Sequence, residues 1–298
     1  MHLNDKKAFQ VIGHAVMIIL TLFAMLPLIL ILMASLTDDT ALIQDGYRFF
    51  PRILSTAAYT YIFSSSDTVL RAYGISIVLT LCGTLVSVTI TTMLAYALAK
   101  KGLPGKGILN FLVFFTMLFN GGLVPTYINY SNVFGIKNTF WALMIPSLLM
   151  NAFNVLMVKS YFVSSIPDAL LEAAYIDGAT EGRAFVQIAL PLAKPIVATI
   201  GLFIGIGYWN DWMNGYIYLT KRTDLYSIQN LLNRMIQNIQ FLMQNSSTVS
   251  NANQGLAAIP AVSVRMAMAV VGVLPIVIVY PFIQNNFVKG ITLGGVKG

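Results

Sequence analysis

Residues 172–195 read EAAYIDGATEGRAFVQIALPLAKP, a charged, Gly- and Pro-punctuated stretch inside an apolar chain. Four of the chain's eleven acidic residues gather here: Asp168 just ahead, then Glu172, Asp177 and Glu181. Ser165 and Asp168 make a Ser-x-x-Asp capping pattern, and Pro167 suits a first turn, so the pattern predicts a helix over 166–176. Asp177–Gly178 stops it, because glycine accepts the left-handed conformation a helix C-terminus needs. Thr180 is the expected cap of a second helix, 181–190, which Pro191 ends. Ala169, Ala173 and Ala174 give the first helix a low surface that another backbone can approach, while Leu170, Leu171 and Ile176 are expected to pack back on the protein. Two readings are open: a docking element for a soluble partner, or a structural hairpin.

The rest of the chain sets the context. Of 298 residues, 57% are hydrophobic and only 10% charged, whereas soluble domains carry about 25% charged residues. Such a chain is solvated by lipid, where apolar runs of about 20 residues cross as helices. Six segments qualify: 11–33, 73–98, 108–128, 139–158, 196–219 and 265–285. The fold class is therefore an all-α integral membrane protein with one transmembrane domain over 1–298. The first run is too long for a signal-peptide core and lacks a small-x-small cleavage site, so it reads as an anchor. Phe119–Pro125, FNGGLVP, interrupts the third. The single cysteine, Cys82, lies in an apolar run and allows no disulfide framework. The net charge of +7 comes from scattered basic residues without a cluster, which argues against nucleic acid.

An even number of spans puts both termini on one side. With the termini inside, ten basic residues fall in inner segments (Lys6, Lys7, Lys100, Lys101, Lys106, Lys159, Arg183, Lys194, Lys289, Lys297) and eight in the longer outer ones. Basic density thus favours cytoplasmic termini and a cytoplasmic segment 161–195. The outer segment 220–264 contains an amphipathic helix at 225–245, with Ile228, Leu231, Leu232, Met235, Ile239 and Leu242 at helical spacing. It either caps the bundle or meets a partner outside.

The spacing Glu172-Ala173-Ala174, Asp177-Gly178-Ala179, Phe185, Ile188, Leu190-Pro191 and Pro195 resembles the complete EAA motif of ABC-importer membrane subunits. AYALAKKGLPGKG (95–107), GGLVPTY (121–127), NTFWALMIPSLLMNAFN (138–154), YWNDWMNGYIYL (208–219) and the tail from 280 to 298 are similar to the LplC-type branch of the MalG-like carbohydrate importers. The resemblance implies a MetI-like, type I importer permease fold in the cell membrane. It implies that 161–195 is the coupling segment, whose residues Glu172, Ala173, Ala174, Asp177, Gly178, Ala179, Leu190 and Pro191 engage a cytoplasmic ATPase. The implied partners are a second, homologous permease subunit, two ATPase copies and an extracytoplasmic solute-binding lipoprotein. The implied cargo is an oligosaccharide, often released from a complex polysaccharide.

This chain is expected to bind no cofactor or metal and to have no catalytic residue, with ATP and Mg used by the partner ATPase. No G-x4-G-K-[ST] phosphate loop occurs, and GLPGKG (102–107) lacks that spacing. His2 and His14 are isolated. Tyr208, Trp209, Asn210, Asp211, Trp212 and Asn214 set aromatic faces beside amide and carboxylate groups, chemistry that suits the faces and hydroxyls of a pyranose. Asn151, Asn154 and Asn120 are further candidates for lining a path. The alternative for all of them is an aromatic belt with interhelical hydrogen bonds. Gly83, Ser87, Thr91, Ala95 and Ala99 form a small-residue stripe, for packing within the subunit or against a sister. An ion-coupled secondary transporter is the rival class, and it usually carries paired broken helices and mid-span acids; an importer of a non-sugar solute is another.

Overall fold

Without water, backbone polar groups must bond within their own segment, and this chain meets that demand with helices. The computed structural model describes residues 3–64, 66–244 and 261–295. Among them the only β feature is an isolated antiparallel bridge, Thr37 to Leu54. Three helices are continuous, long and apolar enough to cross a membrane: Phe9–Ser35 within α1 (Leu3–Ser35), Asp67–Ala99 within α4 (Ser66–Ala99), and Val262–Pro281 within α15 (Ala261–Gly295).

The other apolar runs are broken. The run at 108–128 forms α5 (Lys106–Leu118) and α6 (Leu123–Ile128), the latter extended by a π turn, Asn129–Val133, and the two arms bend by 117°. Gly122 turns the corner at φ +83, and Asn120 Oδ1 accepts its N–H at 2.8 Å. The run at 139–158 forms α7 (Trp141–Met144), an irregular stretch, and the start of α8 (Ala152–Ser165). The run at 196–219 forms α12 (Lys194–Asn210) and α13 (Met213–Tyr218), interrupted at Asp211–Trp212. Two bent pairs, Lys106–Leu118 with Leu123–Val133 and Glu181–Leu192 with Lys194–Asn210, are apolar enough that counting each as one span gives up to five among the described residues.

The chain divides into two units. The first comprises residues 1–69 and 232–275. After α1, the bridge region carries Asp38 N–H to Ile53 O (3.1 Å) and Ser55 N–H to Leu36 O (2.9 Å). Then follow α2 (Asp39–Asp45), capped by the Asp38 carboxylate on Thr40 N–H, and α3 (Ala57–Phe63). Asp39 Oδ1 accepts from Val262 N–H (2.9 Å), Ser263 N–H (2.8 Å) and Ser263 Oγ (3.1 Å), which satisfies the free donors at the start of α15.

The second unit comprises residues 70–231 and 276–298. Its core is made by Leu79, Ala95, Tyr96 and Leu98 of α4, Leu143 and Met144 of α7, Val155, Val158 and Phe162 of α8, and Ile196, Ile200, Ile204 and Tyr208 of α12. The small-residue stripe of α4 is spent inside the subunit. Gly83, Ser87, Thr91 and Ala95 are buried, and a Cβ on Gly83 would lie 2.6 Å from the Tyr208 ring. Only a glycine lets α4 and α12 come this close.

The amphipathic helix expected in the 220–264 segment is α14 (Ile228–Gln244), preceded by a 3₁₀ turn at Thr223–Leu225. Ile228, Leu232 and Ile239 are buried, so its apolar stripe rests on protein. The remainder of the 220–264 segment, from 245 to 260, lies outside the described residues, as do His2 and 296–298 of the tail.

Candidate functional site

The charged segment forms α9 (Asp168–Ile176), a glycine corner and α10 (Glu181–Ala184). Ser165 is not the cap: it is the last residue of α8, and Pro167 occupies the capping position with no side-chain cap bond. Proline disfavours helical geometry in the residue before it. Ile166, at φ −109 and ψ 111, therefore ends α8, and Asp168 starts anew. The end of α9 follows the expectation. Gly178 takes φ +80, its N–H bonds Tyr175 O (3.0 Å), and Ala179 N–H bonds Ala174 O (2.9 Å). These two bonds make a Schellman motif, which fixes the direction of the chain leaving the helix.

Beyond the corner, Thr180 is extended and precedes α10, with no cap bond from its side chain. Pro191 does not end the second helix. A π turn, Phe185–Ala189, follows α10 and leads into α11 (Leu190–Leu192), and the break comes at Ala193. The physical reason is that proline lacks the N–H that would bond Gln187 O and its ring crowds that carbonyl, so the preceding turn widens instead of stopping. The arms Glu181–Leu192 and Lys194–Asn210 then diverge by 81°.

One side of this segment faces the bundle. Ala174, Ala184 and Ala189 are buried, Leu171 and Phe185 pack on the core, and the Tyr96 ring lies 5.0 Å from that of Phe185. The other side is open. Ala169, Leu170, Glu172, Ala173, Ile176 and Asp177 are exposed, Ile176 by 86%. Leu170 and Ile176 thus face outward, contrary to the expectation that they pack back, because the 3.6-residue period gives the inner stripe to Leu171 and Ala174.

Sequence reasoning missed the polar contacts that hold the segment. Lys100 Nζ donates to Tyr175 OH (2.8 Å) and pairs with the Glu181 carboxylate; Tyr175 OH in turn donates to Glu181 Oε2 (3.0 Å). Lys101 Nζ pairs with Asp168 Oδ2 at 2.6 Å. Partial burial pushes the Tyr175 phenol up, but hydrogen bonds with Lys100 and Tyr96 and the Lys100 charge hold it below its ordinary value. The Asp168 hydrogen bond and charge hold the Lys101 ammonium above its own. Lys106 Nζ donates to Ala99 O (3.1 Å) and Lys100 O (2.6 Å), closing the free carbonyls at the end of α4. The only sequence signal was a Lys-Lys pair at a span exit, since partners 75 and 81 residues away leave no periodicity.

The aromatic–amide cluster divides. Tyr208 is buried and donates to Met144 O (2.9 Å), tying α12 to α7, and Asn214 Nδ2 donates to Pro146 O (3.0 Å), tying α13 to the irregular stretch after α7. Trp209 is buried with its ring centroid 6.3 Å from that of Tyr73. Asp211 Oδ1 accepts from Met213 N–H (3.2 Å) and Asn214 N–H (3.3 Å), capping α13, while its Oδ2 is buried without a hydrogen-bond partner. The carbonyls of the break are also occupied, Asp211 O by Ser227 Oγ (3.2 Å) and Trp212 O by Asn230 Nδ2 (2.9 Å). Asn151 caps α8 through Phe153 N–H and Asn154 N–H, and Asn154 is buried. Asn210, Trp212 and Asn120 are exposed. No group of acidic, His or Cys side chains suited to a metal occurs among the described residues.

Residues 7–293 match the family model described as "Binding-protein-dependent transport system inner membrane component". The chain is 37% identical to Protein LplC of Bacillus subtilis (strain 168) over 92% of this chain and 89% of that protein. It is 35% identical to the polygalacturonan/rhamnogalacturonan transport system permease protein YtcP of the same organism, over 98% and 99%. Among solved structures, a chain of a bacterial ABC transporter involved in the import of the acidic polysaccharide alginate superposes with a TM-score of 0.76. It is 26% identical, with 96% of this chain and 99% of that chain covered.

Proposed function

The chain belongs to the family of binding-protein-dependent transport system inner membrane components, and on that premise we propose that it is one permease half of an ATP-driven oligosaccharide importer. It crosses the membrane six times with both termini in the cytoplasm, and it works by alternating access. A second, homologous permease completes the pathway, two copies of a separate ATPase consume ATP and Mg in the cytoplasm, and an extracytoplasmic binding lipoprotein delivers the cargo. The chain itself carries out no chemistry.

The observation that carries the reading is the open face of α9. A water-facing helix that exposes Ile176 by 86% and Leu170 beside it, on a corner held by backbone hydrogen bonds, is a surface made for a partner. Glu172, Ala173, Asp177 and Gly178 share its exposed part, Ala174 and Ala179 set its inner side, and Leu190 and Pro191 carry its motion into α12. Arginine at 178 meets no clash but must adopt φ +80, which costs about 1–2 kcal/mol for an L-residue, and it adds a charged arm to the dock. Gly178→Arg is therefore expected to abolish ATPase co-purification and reduce uptake at least tenfold, with membrane insertion retained. Normal uptake in that variant overturns the docking role.

The cargo reading follows the relatives, whose names specify polygalacturonan and rhamnogalacturonan in one case and alginate in another. Asn210, Trp212, Asn151 and Asn120 are the exposed side chains of the predicted path, while Tyr208, Trp209, Asp211, Asn214 and Asn154 shape it from behind. Stimulation of ATP hydrolysis in proteoliposomes by oligogalacturonides or alginate oligomers, with the binding protein present, tests the class. Uptake that runs on an ion gradient without ATP refutes it.

A further inference from the structure

The end of α4 carries two consecutive lysines that hold opposite ends of the exposed segment. Lys101 pairs with Asp168, the first residue of α9, while Lys100 holds Tyr175 near its last turn and Glu181 at the start of α10. The two contacts thus bracket the helix and its corner. Their settings differ: the Lys100 side chain is 24% exposed, with its ammonium 5.2 and 5.1 Å from the Tyr96 and Tyr175 ring centroids, whereas that of Lys101 is 84% exposed. Exposed ion pairs contribute little to stability, and Leu171 and Phe185 already seat the segment on the core. What two separated contacts add is orientation, because a helix held at one point pivots and one held at both ends does not.

The loop behind the lysines is stiffened, since Lys106 Nζ ties Ala99 O and Lys100 O together. Beyond it α4 is a single rod. Tyr96 and Leu98 lie in the core, Ser87 Oγ donates to Leu148 O (3.4 Å), and Gly83 sits against the Tyr208 ring. A displacement of α9 delivered at residues 100 and 101 therefore travels along α4 to the region where α4 touches the interrupted helices. We propose that Lys100 and Lys101 are positioning residues that clamp the docking segment to α4 and carry its movement into the membrane. This rests on the reading that the segment docks an ATPase.

Cys82, the chain's single cysteine, is exposed on α4 and serves as a reporter. The complete importer, with other cysteines removed from its subunits, is labelled there with bimane in lipid nanodiscs. ATP with orthovanadate is expected to shift the bimane emission. Lys100→Gln and Lys101→Gln are each expected to shrink that shift at least threefold while the ATPase still co-purifies and hydrolyses ATP. Lys101→Asp should lose the shift, and Lys101→Asp with Asp168→Lys should regain it, a rescue that a merely structural role does not predict. The proposal is overturned by an undiminished shift in the glutamine variants, by no shift in the unmodified importer, or by a charge exchange that fails to restore it. Failure of the ATPase to co-purify with the unmodified chain instead sinks the docking reading on which it rests.

Discussion

At the scale of single residues, polarity in this chain marks places where helices break and need holding. Asp211 illustrates this: its Oδ1 accepts the first N–H groups of α13. Asp211→Ala should lower stability by about 1 kcal/mol, the usual worth of a lost N-cap, whereas Asp211→Asn retains the cap and should be close to neutral. The thermal midpoint of the purified chain separates the two. Gly83 is the complementary case, because there the absence of a side chain matters. Gly83→Leu must displace the Tyr208 ring and should cost about 1–3 kcal/mol through overpacking. Tyr208→Phe loses only the bond to Met144 O, worth about 1 kcal/mol. A larger midpoint loss in Tyr208→Phe than in Gly83→Leu contradicts that ordering. The cluster at 208–214 was legible as a cluster, since its composition is anomalous in an apolar run. The division of labour within it was not, because a cap, an interhelical bond and a solute contact all call for the same amides and carboxylates.

Elements were legible where one rule acted alone. Hydropathy over 18 or more residues leaves no choice but a helix, and α1, α4 and α15 follow. Gly178 was legible because its requirement for a positive φ is local. Ser165 and Pro191 misled because each answers to two rules at once. Ser165 suits a cap, but the restriction Pro167 imposes falls on Ile166, so Ser165 closes α8 and does not cap α9. Pro191 suits a terminator, but a widened turn absorbs it. Pro191→Ala restores the missing donor and should regularise 185–192 into an α-helix, changing the 81° divergence from α12. A spin-label distance between residues 182 and 203 would report this, and an unchanged distance means that the bend is set by packing around Ala189 and Ala193. The Lys100–Glu181 and Lys101–Asp168 pairs had no signature at the element scale, being fixed by how distant segments meet.

At the scale of the whole molecule, the orientation has a direct check. Ile176→Cys, at a position 86% exposed on α9, should react with a membrane-impermeant maleimide only in inside-out vesicles, and Arg222→Cys only in right-side-out ones. Labelling of both from the same side contradicts the six-span reading. Asp39 has a consequence in time. The carboxylate that receives the start of α15 precedes it by 223 residues in the chain. At synthesis rates of about 5–20 residues per second, α2 leaves the ribosome roughly 11–45 s before its partner exists. The first-made unit must therefore wait, unfinished, while nearly everything between is threaded into the bilayer. The last helix acts as the latch, and a message cut short before codon 261 leaves a protein that was never closed.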